Sequence, residues 1–387
     1  MDPRTGLPVV GMVGAGQLAR MTHQAAIALG QSLRILAAAP DDGAALVAAD
    51  VVIGDHTSLA DLTGFAAGCD VVTFDHEHVP GEHIAALAAA GRTLLPSAEA
   101  LRYAQDKQLM RERLGALGLP MPRWAPLPDR AALAAFAADG PFVVKAVRGG
   151  YDGKGVWLPA SVEEAAPLFD SGIALLAEER VPIIRELAAV VARSPFGQGA
   201  AWPVVETVQR DGICVEVLAP APGLSEDLAG AAQTLALRIA AELDVVGVLA
   251  VELFETADGL VINELAMRPH NSAHWTIEGS RTSQFEQHLR AVLDYPLGAT
   301  EMAAPVVVMA NVLGGPDAEP GKVVMGTDER VHHLMARWPD VKIHLYGKAT
   351  RPGRKIGHVT ALGTELDEVR ARARDAADWL RYAKEEG

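Results

Sequence analysis

Cysteine is nearly absent: the chain has two in 387 residues, Cys69 and Cys214, far apart and in no metal-ligand spacing. That excludes a disulfide framework and leaves two ordinary thiols, as expected in a reducing compartment. Aromatic residues make up only 5 % of the chain, and no uncharged apolar run approaches the ~18 residues that a membrane-spanning helix needs. Positive charge is also in deficit, with 34 Lys and Arg against 49 Asp and Glu and a formal net charge of −15. Such a surface is unsuited to a broad nucleic-acid footprint, although basic residues gathered at one site can still hold an anion. The first residues, MDPRTGLPVVGMVGAG, run straight into an apolar strand, without the basic and then apolar regions of a secretory signal. The expectation is a soluble cytoplasmic protein with neither a nucleic-acid nor a membrane partner.

Glycine, by contrast, is concentrated where it matters. In Pro141–Trp157, PFVVKAVRGGYDGKGVW, a buried strand delivers Lys145 and is followed by Gly149, Gly150, Gly153 and Gly155 within seven residues. Glycine admits positive φ and has no Cβ, so successive backbone N–H groups can close around a phosphate. Lys145 and Lys154 supply compact positive charge to the same anion. No helix-opening Ser or Thr follows Lys154, so the pattern is not a Walker loop.

The chain before this loop alternates strands and helices. Leu7–Val13, Ser32–Ala37, 51–53 and 71–74 read as strands, and the amphipathic run from Gln17 to Leu29 reads as a helix closed by Gly30. That alternation predicts a parallel α/β sheet covered on both faces. Gly14, Gly16 and Ala19 also fit a dinucleotide fingerprint, but no acid closes the second strand, so anion binding at this helix start is favoured over NAD. TFDHEHVP (73–80) is read as the end of the fourth strand, placing Glu77 at the carboxyl edge where ligands bind. His76, His78 and His83 are read as loop histidines beside that pocket, not as a zinc site. Ser97–Leu117 reads as one helix, with Gln105-Asp106-Lys107 within it.

Further on, a helix to Asp170 opens on a Ser161/Glu164 capping box, and a strand ends in Glu178-Glu179-Arg180-Val181, where an adenine edge can be met. A β-meander spans 186–193, 201–209 and 213–219, followed by a helix from Ser225 to Leu243. In the hairpin Gly247–Glu264, a three-residue loop Ala257-Asp258-Gly259 pairs Glu252 with Glu264, give or take one residue. Like charges directly opposite are destabilising unless something positive lies between them, and a pair of hard oxygen donors suits Mg²⁺. MRPHNSAH (267–274) adds a polar loop in which Arg268, His270, Asn271 and Ser272 can fix an oxyanion or a planar heterocycle. Late in the chain Lys348, Arg351, Arg354 and Lys355 form a basic turn, read as a second phosphate site. A closing amphipathic helix runs from Glu365 to Lys384.

Taken together, GAGQLARM (14–21), TFDHEHVP (73–80), QDK (105–107), KAVRGGYDGKG (145–155), VELF (251–254), INELAMRPHNSAH (262–274), SQFEQHLRA (283–291) and YGK…RPGRKIGH (346–358) carry a resemblance. The chain resembles the ATP-grasp superfamily and, within it, the 5-(carboxyamino)imidazole ribonucleotide synthase family of purine biosynthesis. Ala15, Ala19, Asp75 and Ala273 depart from the residues familiar there. The resemblance implies an α/β ATP-grasp fold: an N-terminal parallel α/β (pre-ATP-grasp) domain over 1–100, an ATP-grasp domain over 101–303 and a small C-terminal domain over 304–387. It implies an ATP-dependent ligase that makes carboxyphosphate from bicarbonate and carboxylates 5-aminoimidazole ribonucleotide, working as a homodimer.

The implied ATP site comprises Lys107, Lys145, Gly150, Tyr151, Asp152, Gly153, Lys154, Gly155, Val156, Glu178, Glu179, Arg180, Val181, Glu186, Gln209, Asn263 and Glu264, with Mg²⁺ on Glu252 and Glu264. Arg268, His270, Asn271 and Lys348 are the implied catalytic residues, and Gln17, Leu18, Glu77, Asp152, Lys348 and Arg354 the implied ribonucleotide contacts. The competing readings are another ATP-grasp ligase, such as a formate-using ribonucleotide transformylase, and a nucleotide-binding module without turnover.

Overall fold

The computed structural model describes residues 1–150, 153–315 and 325–382. The first sheet is parallel, with β1 (Val9–Val13), β2 (Ser32–Ala37), β3 (Asp50–Ile53) and β4 (Val71–Phe74) in the order β3-β2-β1-β4. Every residue of β4 is buried, which is why it reads as an unbroken apolar run instead of alternating. The helix Gln17–Ala28 leaves the carboxyl end of β1, and Gly30 takes the positive φ that ends it.

A small antiparallel sheet follows: β5 (Trp124–Leu127), β6 (Phe142–Ala146), β7 (Val156–Trp157) and β8 (Leu175–Glu179), in the order β5-β8-β6-β7. The largest sheet has nine strands: β9 (Arg185–Arg193), β10 (Gly199–Ala201), β11 (Val205–Arg210), β12 (Ile213–Ala219), β13 (Gly247–Thr256), β14 (Gly259–Ala266), β15 (Val306–Leu313), β16 (Lys342–Leu345) and β17 (Lys355–Gly363). Its path is β14-β13-β9-β11-β12-β15-β17-β16, with β10 on β9. The last strands thus extend the central sheet, through Glu216 paired with Ala310. One buried side chain ties the first sheet to the largest. His288, on the helix Gln284–Val292, lies 2.7 Å from Thr73 Oγ1 in β4 and accepts from Val248 N in β13 at 3.1 Å. Burial pushes this imidazole down to about 4, so it is neutral; with Nδ1 accepting, Nε2 carries the proton given to Thr73.

Several expectations are corrected. The helix expected over Ser97–Leu117 is two, Ala98–Gln105 and Lys107–Ala116. Asp106 breaks it by taking an extended conformation and capping the second helix through Leu109 N. Lys107 N is thereby free to donate to Val147 O at 2.9 Å, so the QDK segment docks on the end of β6 with Asp106 and Lys107 buried. β4 stops at Phe74, so Asp75–Pro80 is a bend, and strand alternation does not govern His76 and His78. The helix expected to run to Asp170 is α-helical only over Val162–Ala165 and continues as a 3₁₀ helix to Ser171. The strand expected over 201–209 is interrupted after Ala201 and resumes at Val205, where Pro203 cannot donate to a ladder. Finally, the β13–β14 hairpin closes at Thr256 opposite Gly259, around a two-residue loop, not three. Glu252 still faces Glu264, because the register shifts by one between Glu252 and Leu253, with Asn263 the extra residue.

Candidate active site

The site begins at that bulge. Leu253 pairs with Ile262, but Glu252 pairs with Glu264, so Asn263 is squeezed out of the ladder with its side chain free to bond locally. Asn263 Nδ2 donates to Glu252 Oε2 at 3.1 Å, and Asn263 Oδ1 accepts from Lys145 Nζ at 2.9 Å. Lys145 arrives on β6 and also pairs with Glu178 of β8 at 2.8 Å. Lys107, the first residue of its helix, reaches Glu264 Oε1 at 3.3 Å. Two lysines, three carboxylates and an amide therefore meet at one place, from four separate stretches of sequence.

The electrostatics of this cluster are unbalanced. Desolvation in the cleft, with the negative charges of Glu264 and Glu186 beside it, pushes the Glu252 carboxyl up to about 7. Glu186 is raised too, by burial first, with Gln209 and Lys145 opposing that rise. Glu178 moves the other way: burial alone would raise it, but Lys145 and Arg111 hold it below the usual carboxylate range. A divalent cation fits this donor set, since it would neutralise the repulsion that raises Glu252. Among the described residues no cluster of three or more His, Cys, Asp or Glu side chains is arranged to hold a metal. Two carboxylates suit an ion that keeps its waters and takes its remaining ligands from phosphate.

The polar loop after β14 extends the site. His270 Nε2 lies 3.5 Å from Glu252 Oε1, and its Nδ1 accepts from Ser272 N at 3.4 Å. Burial, then Arg268 and Lys355, depress this imidazole to about 3, so it is neutral and presents an Nε2–H donor toward Glu252. Arg268 Nε donates to Glu77 Oε2 at 2.8 Å, and Met267 N to Glu77 Oε1 at 3.2 Å. Glu77 thus fixes the loop that carries Arg268. Asn271 and Asn311 exchange hydrogen bonds at 3.0 and 2.8 Å. From the far end of the chain, Lys348 Nζ bonds Gln17 Oε1 and sits 5.9 Å from the Tyr346 ring. The structure thereby brings together Glu252 with His270, Arg268 with Glu77, and Lys348 with Gln17.

Other expected site residues lie differently. Leu18 is a core side chain, packed with Met21, Phe285 and Tyr346, so it can meet a ligand only through its backbone. The Glu178 carboxylate is committed to Arg111 and Lys145 at 2 % exposure and does not face an open adenine slot. Glu179 accepts from Arg123 N at 3.0 Å, and Arg180 N donates to Pro141 O at 2.9 Å, with the Arg180 side chain exposed and Val181 half-buried. Arg354 is exposed and donates back into its own turn, to Ala349 O at 3.3 Å. Tyr151 and Asp152 lie outside the described residues. Gly150 and Lys154 approach closely: a Cβ on Gly150 would meet Lys154 O at 2.7 Å. Gly153, at φ +75, sits where a Cβ would come within 3.2 Å of Gly212, so the loop rests against the β11–β12 turn.

A separate concavity of ≈ 260 Å³ opens at the carboxyl ends of β1 to β4, lined by Gly14, Gly16, Asp42, His56, Asp75 and His76 among others. Asp75 closes its floor with a bond from Gly16 N. Burial raises this carboxyl, while burial with His56 and His78 nearby pushes His76 down to about 3.

One residue the sequence did not single out is Arg111, which is fully buried. It lies one helical turn after Lys107, and that i, i+4 spacing from a candidate site lysine was the signal available.

The chain matches three family models: the ribonucleotide synthetase preATP-grasp domain over residues 7–105, the ATP-grasp domain over 112–285, and the phosphoribosylaminoimidazole carboxylase C-terminal domain over 307–372. It is 62 % identical over 384 residues to the N5-carboxyaminoimidazole ribonucleotide synthase of Mycobacterium tuberculosis, covering 97 % of this chain and 89 % of that one. Among solved structures, an Aspergillus clavatus carboxyaminoimidazole ribonucleotide synthase complexed with ATP superposes with a TM-score of 0.87 at 34 % identity, covering 97 % and 99 % of the two chains. Another from Aspergillus clavatus, in complex with ADP and 5-aminoimidazole ribonucleotide, gives 0.86 at 32 % identity, covering 96 % and 98 %.

Proposed function

The chain belongs to the N5-carboxyaminoimidazole ribonucleotide synthase family of ATP-grasp enzymes, and from that premise we propose how its own residues divide the work. The enzyme is an ATP-dependent ligase of purine biosynthesis that carboxylates the exocyclic amine of 5-aminoimidazole ribonucleotide. A bicarbonate oxygen attacks the γ-phosphorus of ATP, the bond to ADP breaks, and carboxyphosphate forms. Carboxyphosphate releases CO₂ and phosphate; the amine nitrogen bonds the CO₂ carbon, and the amine proton leaves to phosphate.

Lys107, Lys145 and the Gly150–Val156 loop, including Tyr151, Asp152, Gly153, Lys154 and Gly155, grip the ATP phosphates. Glu186 and Gln209 take the ribose, and the backbone of the stretch from Glu178 to Val181 takes the adenine, the Glu178 carboxylate being committed to Arg111 and Lys145. Glu252 and Glu264, with Asn263 beside them, would hold Mg²⁺. When bound, the ion would supply positive charge that offsets the charge of the phosphates. Arg268, neutral His270, Asn271 and Lys348 orient bicarbonate and stabilise carboxyphosphate by preorganised donation. Gln17, Glu77, Asp152, Lys348 and Arg354, with the Leu18 backbone, hold the ribonucleotide. None of these residues needs to be a covalent nucleophile. The loop excludes water, because carboxyphosphate free in solution is lost to hydrolysis.

The observation that carries this reading is the Glu252–Glu264 pairing across a bulge whose Asn263 bonds Lys145. We also take 1–100, 101–303 and 304–387 as the three domains, and a cytoplasmic homodimer as the working form. The chemistry is tested with ¹⁸O-labelled bicarbonate. Carboxyphosphate formation requires one ¹⁸O to appear in the released phosphate; unlabelled phosphate would contradict it.

A further inference from the structure

We propose that Arg111 is a positioning residue for the nucleotide and metal site, holding the Asn263 bulge in place and so deciding which side chain stands opposite Glu252. The inference rests on the reading of Glu252 and Glu264 as the metal carboxylates.

β14 is the edge strand of the large sheet, so its outward backbone groups have no neighbouring strand to pair with. Around the bulge they are satisfied instead by the helix Lys107–Ala116 and the connection that follows it. Ile262 N donates to Pro120 O at 2.9 Å, Arg111 Nη1 donates to Ile262 O at 2.8 Å, and Arg111 Nη2 donates to Asn263 O at 2.8 Å. The third donor, Arg111 Nε, goes to Glu178 Oε1 at 2.8 Å. Glu178 Oε2 receives Lys145, and Lys145 returns to Asn263 Oδ1. The circuit Arg111–Glu178–Lys145–Asn263 is closed, and Arg111 is the member that grips the backbone.

The consequence lies in register. With Thr256 opposite Gly259, a regular ladder would place Asn263 opposite Glu252; only the extra residue brings Glu264 there. A one-residue slip sends each side chain to the opposite face. It would turn the Glu264 carboxylate away from Glu252 and away from Lys107, 3.3 Å distant. A planar guanidinium with five fixed donors can serve two successive carbonyls and a carboxylate at once, which a lysine ammonium in the same place cannot do in one plane. Arg111 touches neither of the proposed metal carboxylates, so its effect on them passes through the backbone.

The test uses the intact enzyme with Mn²⁺ as the probe, followed by electron paramagnetic resonance in the presence of ADP. Arg111→Lys keeps the charge and is expected to weaken Mn²⁺ binding in the ADP complex at least tenfold, with the KM for 5-aminoimidazole ribonucleotide within twofold of wild type. Because Arg111→Met leaves Glu178 short of a partner and can unfold, the charge-balanced Arg111→Met/Glu178→Gln pair is measured beside it, with the same loss expected. A merely structural role would lower the melting temperature and leave Mn²⁺ affinity unchanged in both variants; that result overturns the proposal. Binding of Mn²⁺ and ADP needs no acceptor. A wild type that binds both but ignores the ribonucleotide would sink the acceptor assignment and leave this inference standing, whereas one that binds no Mn²⁺ would overturn the inference itself.

Discussion

Glu264→Gln should move activity and stability in opposite directions. Glu264 faces Glu252 across the strand pair, and both acids sit in a cleft that already raises Glu252 to about 7. Two unit charges ~5 Å apart repel by about 3 kcal/mol at an effective dielectric of 20. The Glu252 side chain is 36 % exposed, so solvent screening cuts this to on the order of 1 kcal/mol. The sign with pH follows from the raised pKa. The folded state keeps a proton that the unfolded state has lost, so metal-free stability falls as pH climbs from the ordinary carboxylate range, near 4.5, to about 7. The Gln side chain removes the like charge and still accepts from Lys107. The metal-free variant should therefore melt about 1–2 °C above wild type at pH 8 and match it near pH 5.

With Mg²⁺ and ADP the order reverses. Saturation at 100 times Kd stabilises wild type by about 2.7 kcal/mol, and a loss of roughly tenfold in affinity removes about 1.4 kcal/mol of that. Turnover should fall on the order of 10²-fold or more. Thermal melts at the two pH values, in EDTA and in Mg²⁺ with ADP, check all of this together. A variant whose nucleotide-induced shift equals that of wild type, or which melts lower than wild type in EDTA at pH 8, would refute the pairing.

Three further perturbations probe separate parts. Lys348→Met should raise the KM for the ribonucleotide at least tenfold with the ATP constants within twofold, by steady-state kinetics; a change confined to ATP would relocate Lys348. Gly153→Ala places a Cβ 3.2 Å from Gly212 at φ +75, a strain of about 1 kcal/mol. It should lower kcat and increase the ADP formed per carboxylated product, because a loop that closes poorly admits water. His288→Leu leaves Thr73 Oγ1 and Val248 N buried without their partner, at a cost of about 2–4 kcal/mol. Chemical denaturation should register that loss, and a neutral substitution would show the strut to be dispensable.

Much of the fold was legible because local signals agreed with the tertiary outcome. The four short parallel strands are bounded by glycines and caps, and Ser97, Ser161, Ser225 and Ser283 cap the helices they precede. What escaped were decisions made by distant residues. Asp106 breaks a helix that periodicity would continue, because Lys107 N finds Val147 O across a gap no local rule describes. The Glu252–Glu264 pairing emerged correctly from an incorrect loop: a two-residue turn plus a bulge gives the same offset as a three-residue turn. Arg111 stayed hidden since its three acceptors, Glu178, Ile262 and Asn263, lie 67 to 152 residues away. Of the site, the charged residues were legible as types, whereas their pairings (Lys145 with Glu178, Glu77 with Arg268, Gln17 with Lys348) depend on how three sheets converge.

The most direct test of the central claim is ADP release from Mg²⁺ and ATP with bicarbonate, with and without 5-aminoimidazole ribonucleotide. Release that rises with the ribonucleotide, requires bicarbonate and collapses in Lys145→Met is the predicted result. Release indifferent to the ribonucleotide, or supported by formate in place of bicarbonate, would contradict it.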